Sequence, residues 1–353
     1  MRLFRRNGRQ ETSSTSLLDR PGAALGDSDA TAAELLDEVE RLTRAHRARP
    51  DRDGERRLLR LRHLAGLRMA GQSDAQPAYP TPEFASLPTG DPLPEISPAD
   101  LTPALARAAI LRDGCVLVRG LVDRRRALDF ADLIERSFDE RERIEAGEPA
   151  AEGYYEEFEP EPPHTVPPDQ RSWIKAGGGV LTADSPLLAA EMLAIFESAG
   201  VTRLVEGYLG EHPLLSVEKT TLRKADPQVG GAWHQDGRFM GEVRALNLWL
   251  SLSRCGDEAP GLDLVPRRLD HIVTTNTDEA IIEIQVSQAK AEEAAGDTPI
   301  IRPIFEPGDA LFFDDLFLHK TGSDPSMPKP RFAIESWFFG GSAFPAEYGP
   351  LAV

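Results

Sequence analysis

Beyond residue 209 the chain reads as a succession of short apolar, β-branched or aromatic runs, at 214–224, 244–253, 261–266, 300–305, 309–313 and 331–339, each closed by glycine, proline or aspartate. Runs of that length between turn residues predict strands, and a series of them suits a sandwich or an open barrel. The 29 glycines and 29 prolines in 353 residues, against four tryptophans and five tyrosines, favour the same turn-rich architecture over a helical bundle. A chain of this length can hold one large core and a smaller appendage.

The first part of the chain is built differently. Residues 1–30 are small and polar and predict a disordered tail. Over 31–75, leucines at 35, 36, 42, 58, 59, 61, 64 and 67 recur on a background of Arg and Glu, broken near Pro50 and Gly54, which predicts a hairpin of two amphipathic helices suited to docking a protein partner. A proline-rich linker is expected over 76–98, ahead of a catalytic domain over 99–345. Thr102-Pro103 starts a helix of about 103–112 with Gly114 as its stop, 115–122 predicts a strand, and about 124–143 and 187–209 predict helices. The acidic, proline-rich stretch from Glu152 to Trp173, with Tyr154, Tyr155 and Phe158, is expected to be a lid.

Charge and composition exclude several functions. A net charge of −18 leaves no broad cationic face for phosphates, so nucleic acid is not expected as a partner. No run reaches the roughly 18 apolar residues that cross a bilayer, so no membrane partner is expected. The basic N-terminus lacks an apolar h-region, and a cytoplasmic protein is expected. Cys115 and Cys255 match no zinc or redox spacing and read as buried thiols of a reducing compartment.

The chemistry concentrates at "GAWHQDGRFMG", residues 231–241. Side chains two apart on a strand share a face, so His234 and Asp236 present an imidazole and a carboxylate together. His319, directly after the apolar run in "GDALFFDDLFLHKTG", supplies a third donor. Two histidines and a carboxylate on one side of a metal, with open positions opposite, is the donor set of non-haem iron(II) oxygenases. His46, His63 and His164 lie in charged or proline-rich stretches, and His212 and His271 follow helix or turn signals, so these five read as surface residues. Arg331, twelve residues after His319, opens a strand with a guanidinium whose planar fork suits a carboxylate. On the strand 244–253, Leu246, Leu248, Leu250 and Leu252 form one face, expected to pack on helices; Asn247, Trp249 and Ser251 form the other, expected to line a ligand cavity.

From about Leu101 to Phe339 the chain resembles the phytanoyl-CoA dioxygenase family of Fe(II)/2-oxoglutarate oxygenases, through "DGCVLVRGL", "WHQDG", "LNLWLSLS", "GLDLVP" and "GDALFFDDLFLHKTGS" followed by Arg331. The resemblance implies a mainly β fold with flanking helices, a double-stranded β-helix (cupin-like jelly roll) carrying an N-terminal helical extension. It implies His234, Asp236 and His319 as Fe(II) ligands and catalytic centre, with Arg331 and the hydroxyl of Thr321 on the far carboxylate of 2-oxoglutarate, and Trp249 lining the co-substrate pocket. It implies a dioxygenase that consumes O2 and 2-oxoglutarate, releases succinate and CO2, and hydroxylates a small organic molecule. Where the family commonly ends its mid-domain strand in proline, glycine and serine, this chain has "VPRRLDH", whose Arg267 and Arg268 either bind an anionic substrate or are surface charge. Two alternatives stay open from the residues alone: a zinc hydrolase on the same three ligands plus a water, and a cupin-like binding protein without catalysis.

Overall fold

The computed structural model describes residues 30–72, 77–90, 92–241, 243–275 and 285–353. The expected tail therefore lies, but for Ala30, outside the described residues. Helix α1 (Ala32–Ala48) opens on Thr31, whose hydroxyl accepts from Glu34 N while Glu34 returns a bond to Thr31 N, a capping box. Asp51 caps α2 (Arg52–Met69) by accepting from Gly54 N at 2.7 Å. Strand β1 (Glu95–Ile96) lies within the proline-rich stretch and pairs parallel with β2 (Cys115–Val118), so that stretch contributes to the sheet. Between them α3 (Pro103–Asp113) begins on the Thr102 cap and ends where Gly114 takes φ 82°, as the threonine, proline and glycine signals predict.

Helix α4 (Arg124–Glu145) starts on Asp123, and α5 (Pro168–Ala176) and β3 (Gly179–Leu181) follow. The single helix expected over 187–209 is two, α6 (Pro186–Ser198) and α7 (Val201–Leu209), because Gly200 turns the chain with φ 73°. The remainder is strand-dominated: β4 (Pro213–Ala225), the short α8 (Gly237–Met240), β5 (Ala245–Ser251), β6 (Gly261–Leu264), α9 (Gln288–Ala295), β7 (Ala310–Phe313), β8 (His319–Gly322), β9 (Arg331–Gly340) and β10 (Pro350–Ala352). The strand expected over 300–305 is reduced to single bridges at Ile301 and Phe305, with Pro303 between them unable to donate to a ladder.

The main sheet runs β1-β2-β7-β5-β9-β4-β10, with β3 on the outer half of β4. A second, smaller sheet pairs β6 with β8 and is widened by bridges from His234 to His319 and from Leu264 to Ile301. The period of two splits the main sheet's side chains between two cores. Leu246, Leu248, Leu250, Phe312, Ile334 and Phe338 pack with α3, α4, α6 and α7 on one face, as the leucine pattern predicts. Trp249, Phe313, Ala333 and Trp337 face the other way, onto Leu262 and Leu264 of the second sheet. The layers are helices, main sheet and second sheet, and the gap between the sheets positions the site.

The N-terminal hairpin packs onto this body. Leu35, Val39, Leu58, Leu61 and Leu64 are buried together with Leu214 of β4 and Ala352 of β10, so their apolar surface is turned inward. His63, expected at the surface, is 1% exposed: its Nδ1 bonds Pro350 O at 2.8 Å and its Nε2 accepts from Glu161 N at 2.9 Å. Charged neighbours in sequence concealed this, because the arginines of α2 reach over the same contact face, Arg62 donating to Ala352 O of β10 at 3.0 Å and Arg56 to Glu156 of the 153–174 stretch at 2.7 Å. That stretch, expected as a lid, is fastened to the helices: Arg56 bonds Glu156 at 2.7 Å, Ser137 donates to Tyr154 O at 2.8 Å, and Phe158 N donates to Asp184 at 2.7 Å. Both cysteines are buried, as expected.

Candidate metal centre

His234 and His319 meet through main-chain pairing. His234 N donates to His319 O at 3.0 Å, and His319 N donates to His234 O at 3.2 Å. The paired backbones bring the imidazoles side by side, with centroids 4.5 Å apart. Each ring is oriented by a bond from its Nδ1 to a carbonyl two residues back, Ala232 O at 2.8 Å and Phe317 O at 3.0 Å. Both Nε2 atoms are thereby left as acceptors, the tautomer a metal-ligating imidazole requires.

Asp236 completes the group. Its Oδ2 lies 3.9 Å from His319 Nε2 and has no hydrogen-bond partner among the described residues. The three donor atoms lie within 4.8 Å of one another, and they form the one such group found among the described residues. The intervening Gln235 points away and pins the turn: its Nε2 donates to His271 O at 3.0 Å and to Leu316 O at 2.6 Å, while its Oε1 accepts from Val273 N at 2.7 Å. Gln235 was not singled out by sequence, where its only mark is its place between the two ligands. Gly231 allows β8 to approach, because a Cβ there would come within 2.6 Å of Thr321 N.

Electrostatics fit a cation. Burial raises the Asp236 carboxyl to about 6, against the attraction of His234. Burial and then the neighbouring His234 lower His319 to about 3, so its ring is neutral at physiological pH. A buried carboxylate oxygen without a donor and two imidazole nitrogens are an O- and N-donor set for a divalent transition metal, and they fit iron(II) or zinc(II).

The other predicted residues surround this group. Arg331, 3% exposed, reaches from β9 across to the second sheet, where its Nη1 donates to Gly261 O at 3.0 Å. Gly261 pairs with Gly322, next to Thr321, so the guanidinium and Thr321 stand at the same end of the gap. The Arg331 guanidinium carbon lies 5.3 Å from the centroid of Trp249, which packs on Phe305 at 4.8 Å. Arg331 Nε has no partner among the described residues. Thr321 follows His319 by two residues and shares its face of β8.

Asn247 lies on the face of β5 that the sequence assigned to a ligand cavity, while Trp337 and Glu335 on this side were not singled out by sequence. Asn247 is fully buried on β5 with both side-chain amide atoms lacking a partner, and Trp337 Nε1 is likewise unpartnered among the described residues. Glu335 accepts from Arg223 at 3.0 and 3.1 Å. Buried polar atoms without partners are rare in folded chains, and five of the twelve among the described residues, on Asp236, Asn247, Arg331 and Trp337, lie on this side. Arg267 and Arg268 are committed elsewhere, Arg268 to Asp314 Oδ2 at 2.5 Å and Arg267 to Ala295 O at 3.1 Å.

No family model matches the chain, and no curated protein matches it. It is similar in structure to EctD from S. alaskensis, crystallised with 2-oxoglutarate and 5-hydroxyectoine, at 17% identity over 75% of this chain and 87% of that one, TM-score 0.47. It is similar to the non-heme alpha ketoglutarate dependent carbocyclase SnoK from nogalamycin biosynthesis, at 14% identity over 70% and 87%, TM-score 0.45. A third similarity is to AviO1 from Streptomyces viridochromogenes Tue57, at 18% identity over 70% and 98%, TM-score 0.42. Likenesses this distant carry no argument about the chemistry of this chain, which rests on its own residues. No described helix is long and apolar enough to cross a membrane.

Proposed function

We propose that the chain is an Fe(II)- and 2-oxoglutarate-dependent dioxygenase acting on a small organic molecule, built on a double-stranded β-helix. The observation that carries this reading is the pairing of the His234, Asp236 and His319 group, with Asp236 and His319 buried and His234 half-buried, with an incompletely bonded, buried guanidinium, Arg331, between the same two sheets. The strand order supports the architecture. Successive segments pass between the sheets, from β4 to residues 233–234, to β5, to β6 and residue 301, to β7, to β8 and to β9, as a jelly roll does.

Iron(II), when bound, supplies the activation of O2 and the oxidative decarboxylation of 2-oxoglutarate to succinate and CO2. The chain's own residues bind and orient. His234 and His319 donate through Nε2 and are held in plane by Ala232 O and Phe317 O, and Asp236 contributes the carboxylate. Arg331, with the Thr321 hydroxyl, takes the distal carboxylate of the co-substrate, and Trp249 walls that end of the gap. Asn247 offers donor and acceptor atoms nearby. Trp337, Phe313 and Phe317 exclude water, which strengthens each charge-assisted bond inside.

A zinc hydrolase would use the same three donors but gives the buried Arg331 nothing to hold. Iron content and succinate release test the choice together. Purified chain reconstituted anaerobically is expected to retain one Fe(II) and to convert 2-oxoglutarate to succinate only when O2 is admitted. A chain that retains zinc in preference, and neither binds nor turns over 2-oxoglutarate, sinks the reading.

A further inference from the structure

Five of the chain's lysines stand beside carboxylates: Lys175 with Glu145, Lys224 with Glu135, Lys290 with Glu293, Lys320 with Asp263 and Lys329 with Glu258. Lys219 is the exception. Although its neighbourhood contains the charges of Asp236, Glu335 and Glu218, no carboxylate oxygen among the described residues lies within 4 Å of its Nζ. The ammonium instead sits between two rings, 4.2 Å from the Phe239 centroid and 5.2 Å from that of Tyr348.

A built irregularity puts it there. The pairing of β4 with β9 slips between Leu215 and Thr220. Before the slip, Leu215 and Val217 point into the core under the helices; after it, Leu222 does. A regular strand would carry Lys219 on the same face as Leu215 and Val217, but β4 takes five steps from Leu215 to Thr220 where β9 takes two from Phe338 to Ser336, and this odd slip of three residues turns Lys219 to the face of Thr221 and Arg223, toward the metal centre. Ser216 holds the bulge, its hydroxyl accepting from Glu218 N and Lys219 N at 3.2 Å each, and Glu218 is tied by Gly349 N at 2.9 Å. Phe239 lies three residues past the ligand Asp236, so the caged ammonium borders the metal group.

We propose that Lys219 is a specificity residue that holds an oxyanion, a carboxylate or phosphate, of an otherwise apolar substrate against the metal centre, with Phe239 and Tyr348 packing on the apolar part. This rests on the dioxygenase reading above and deepens it. The cation is in a partly dry place with no carboxylate among the described residues in contact with it, and a substrate oxyanion would complete it with a charge-assisted bond. Arg223 does not compete, because Glu335 already engages it.

Competitive acetylation tests this with benzoate as the probe. The Fe(II)- and 2-oxoglutarate-loaded chain is treated anaerobically with N-hydroxysuccinimidyl acetate, and the rate at each lysine is read by peptide mass spectrometry, the ion-paired lysines serving as internal reference. Burial holds the Lys219 pKa below the usual lysine value, which favours its reaction. Benzoate, raised until the response saturates or to its solubility limit, is expected to slow Lys219 about tenfold when near ten times its dissociation constant, leaving the other lysines unchanged. Benzamide with sodium chloride at equal ionic strength is expected to do nothing. A Lys219 that does not react in the loaded chain, that benzoate fails to protect, or that benzamide protects equally well overturns the proposal. Protection by 2-oxoglutarate alone also overturns it, by assigning the amine to the co-substrate. Iron retained by the same samples is measured separately, so loss of the dioxygenase reading is seen as loss of iron or 2-oxoglutarate binding and not as an unprotected lysine.

Discussion

His234 and His319 occupy facing positions of one antiparallel bridge and exchange both main-chain hydrogen bonds, although 85 residues separate them in the chain. The second sheet thus sets the spacing of the two imidazoles, and side-chain bonds to Ala232 O and Phe317 O only set their rotation. His319→Ala leaves this backbone pairing in place and removes one donor. Iron affinity should fall by more than the roughly 10–100-fold that loss of an outer-sphere partner produces. Metal titration followed by mass spectrometry reads it, and an unchanged iron content would remove His319 from the centre.

Arg331 is expected to anchor 2-oxoglutarate. Arg331→Leu leaves the far carboxylate unpaired in a partly dry gap, a loss of roughly 2–5 kcal/mol, or between about tenfold and a few thousandfold in affinity. Arg331→Lys should recover part of that, since it restores charge without the planar fork. Iron affinity without 2-oxoglutarate should not change in either variant. Calorimetric titration of the co-substrate separates these outcomes, and wild-type affinity in Arg331→Leu would place the anchor elsewhere.

Glu218 links stability to pH. Burial raises its carboxyl to about 7, opposed by the bonds from Gly349 N and Ser216. The unfolded chain ionises this group near 4.5, so stability falls as pH rises from about 4.5 to 7, and the cost is complete above 7. Glu218→Gln should therefore be more stable than wild type at pH 8, by on the order of 1–3 kcal/mol, and lose that advantage near pH 4.5. Urea denaturation at the two pH values checks the sign. A variant less stable at pH 8 would show that the ionised form is the better partner for Gly349.

The N-terminal hairpin should matter to stability and not to the metal. Leu64→Ala empties a position packed among Leu35, Leu214 and Ala352 and should cost about 2–5 kcal/mol. Iron and 2-oxoglutarate affinities should stay at wild-type levels, since no ligand residue lies in α1 or α2. Chemical denaturation with parallel iron titration reads both, and a loss of iron at full folding would tie the hairpin to the site.

The sequence by itself determined the local events of this protein. Thr102, Pro103 and Gly114 bracket α3, and the alternating leucines from Leu246 assign one face of β5 to the helices, because caps and strand period depend on residues a few positions apart. His234-x-Asp236, His319 and Arg331 were legible for the same reason, as donor types at strand ends. Tertiary structure alone decided what distant segments do to each other. It buried His63 under a loop about a hundred residues away, fastened the 153–174 stretch to the helices, and reduced the 300–305 segment to two bridges. It also placed a bulge in β4 that turns Lys219 toward the metal centre, because register between strands is set by pairing with β9 and no pattern within β4 records the slip of three residues.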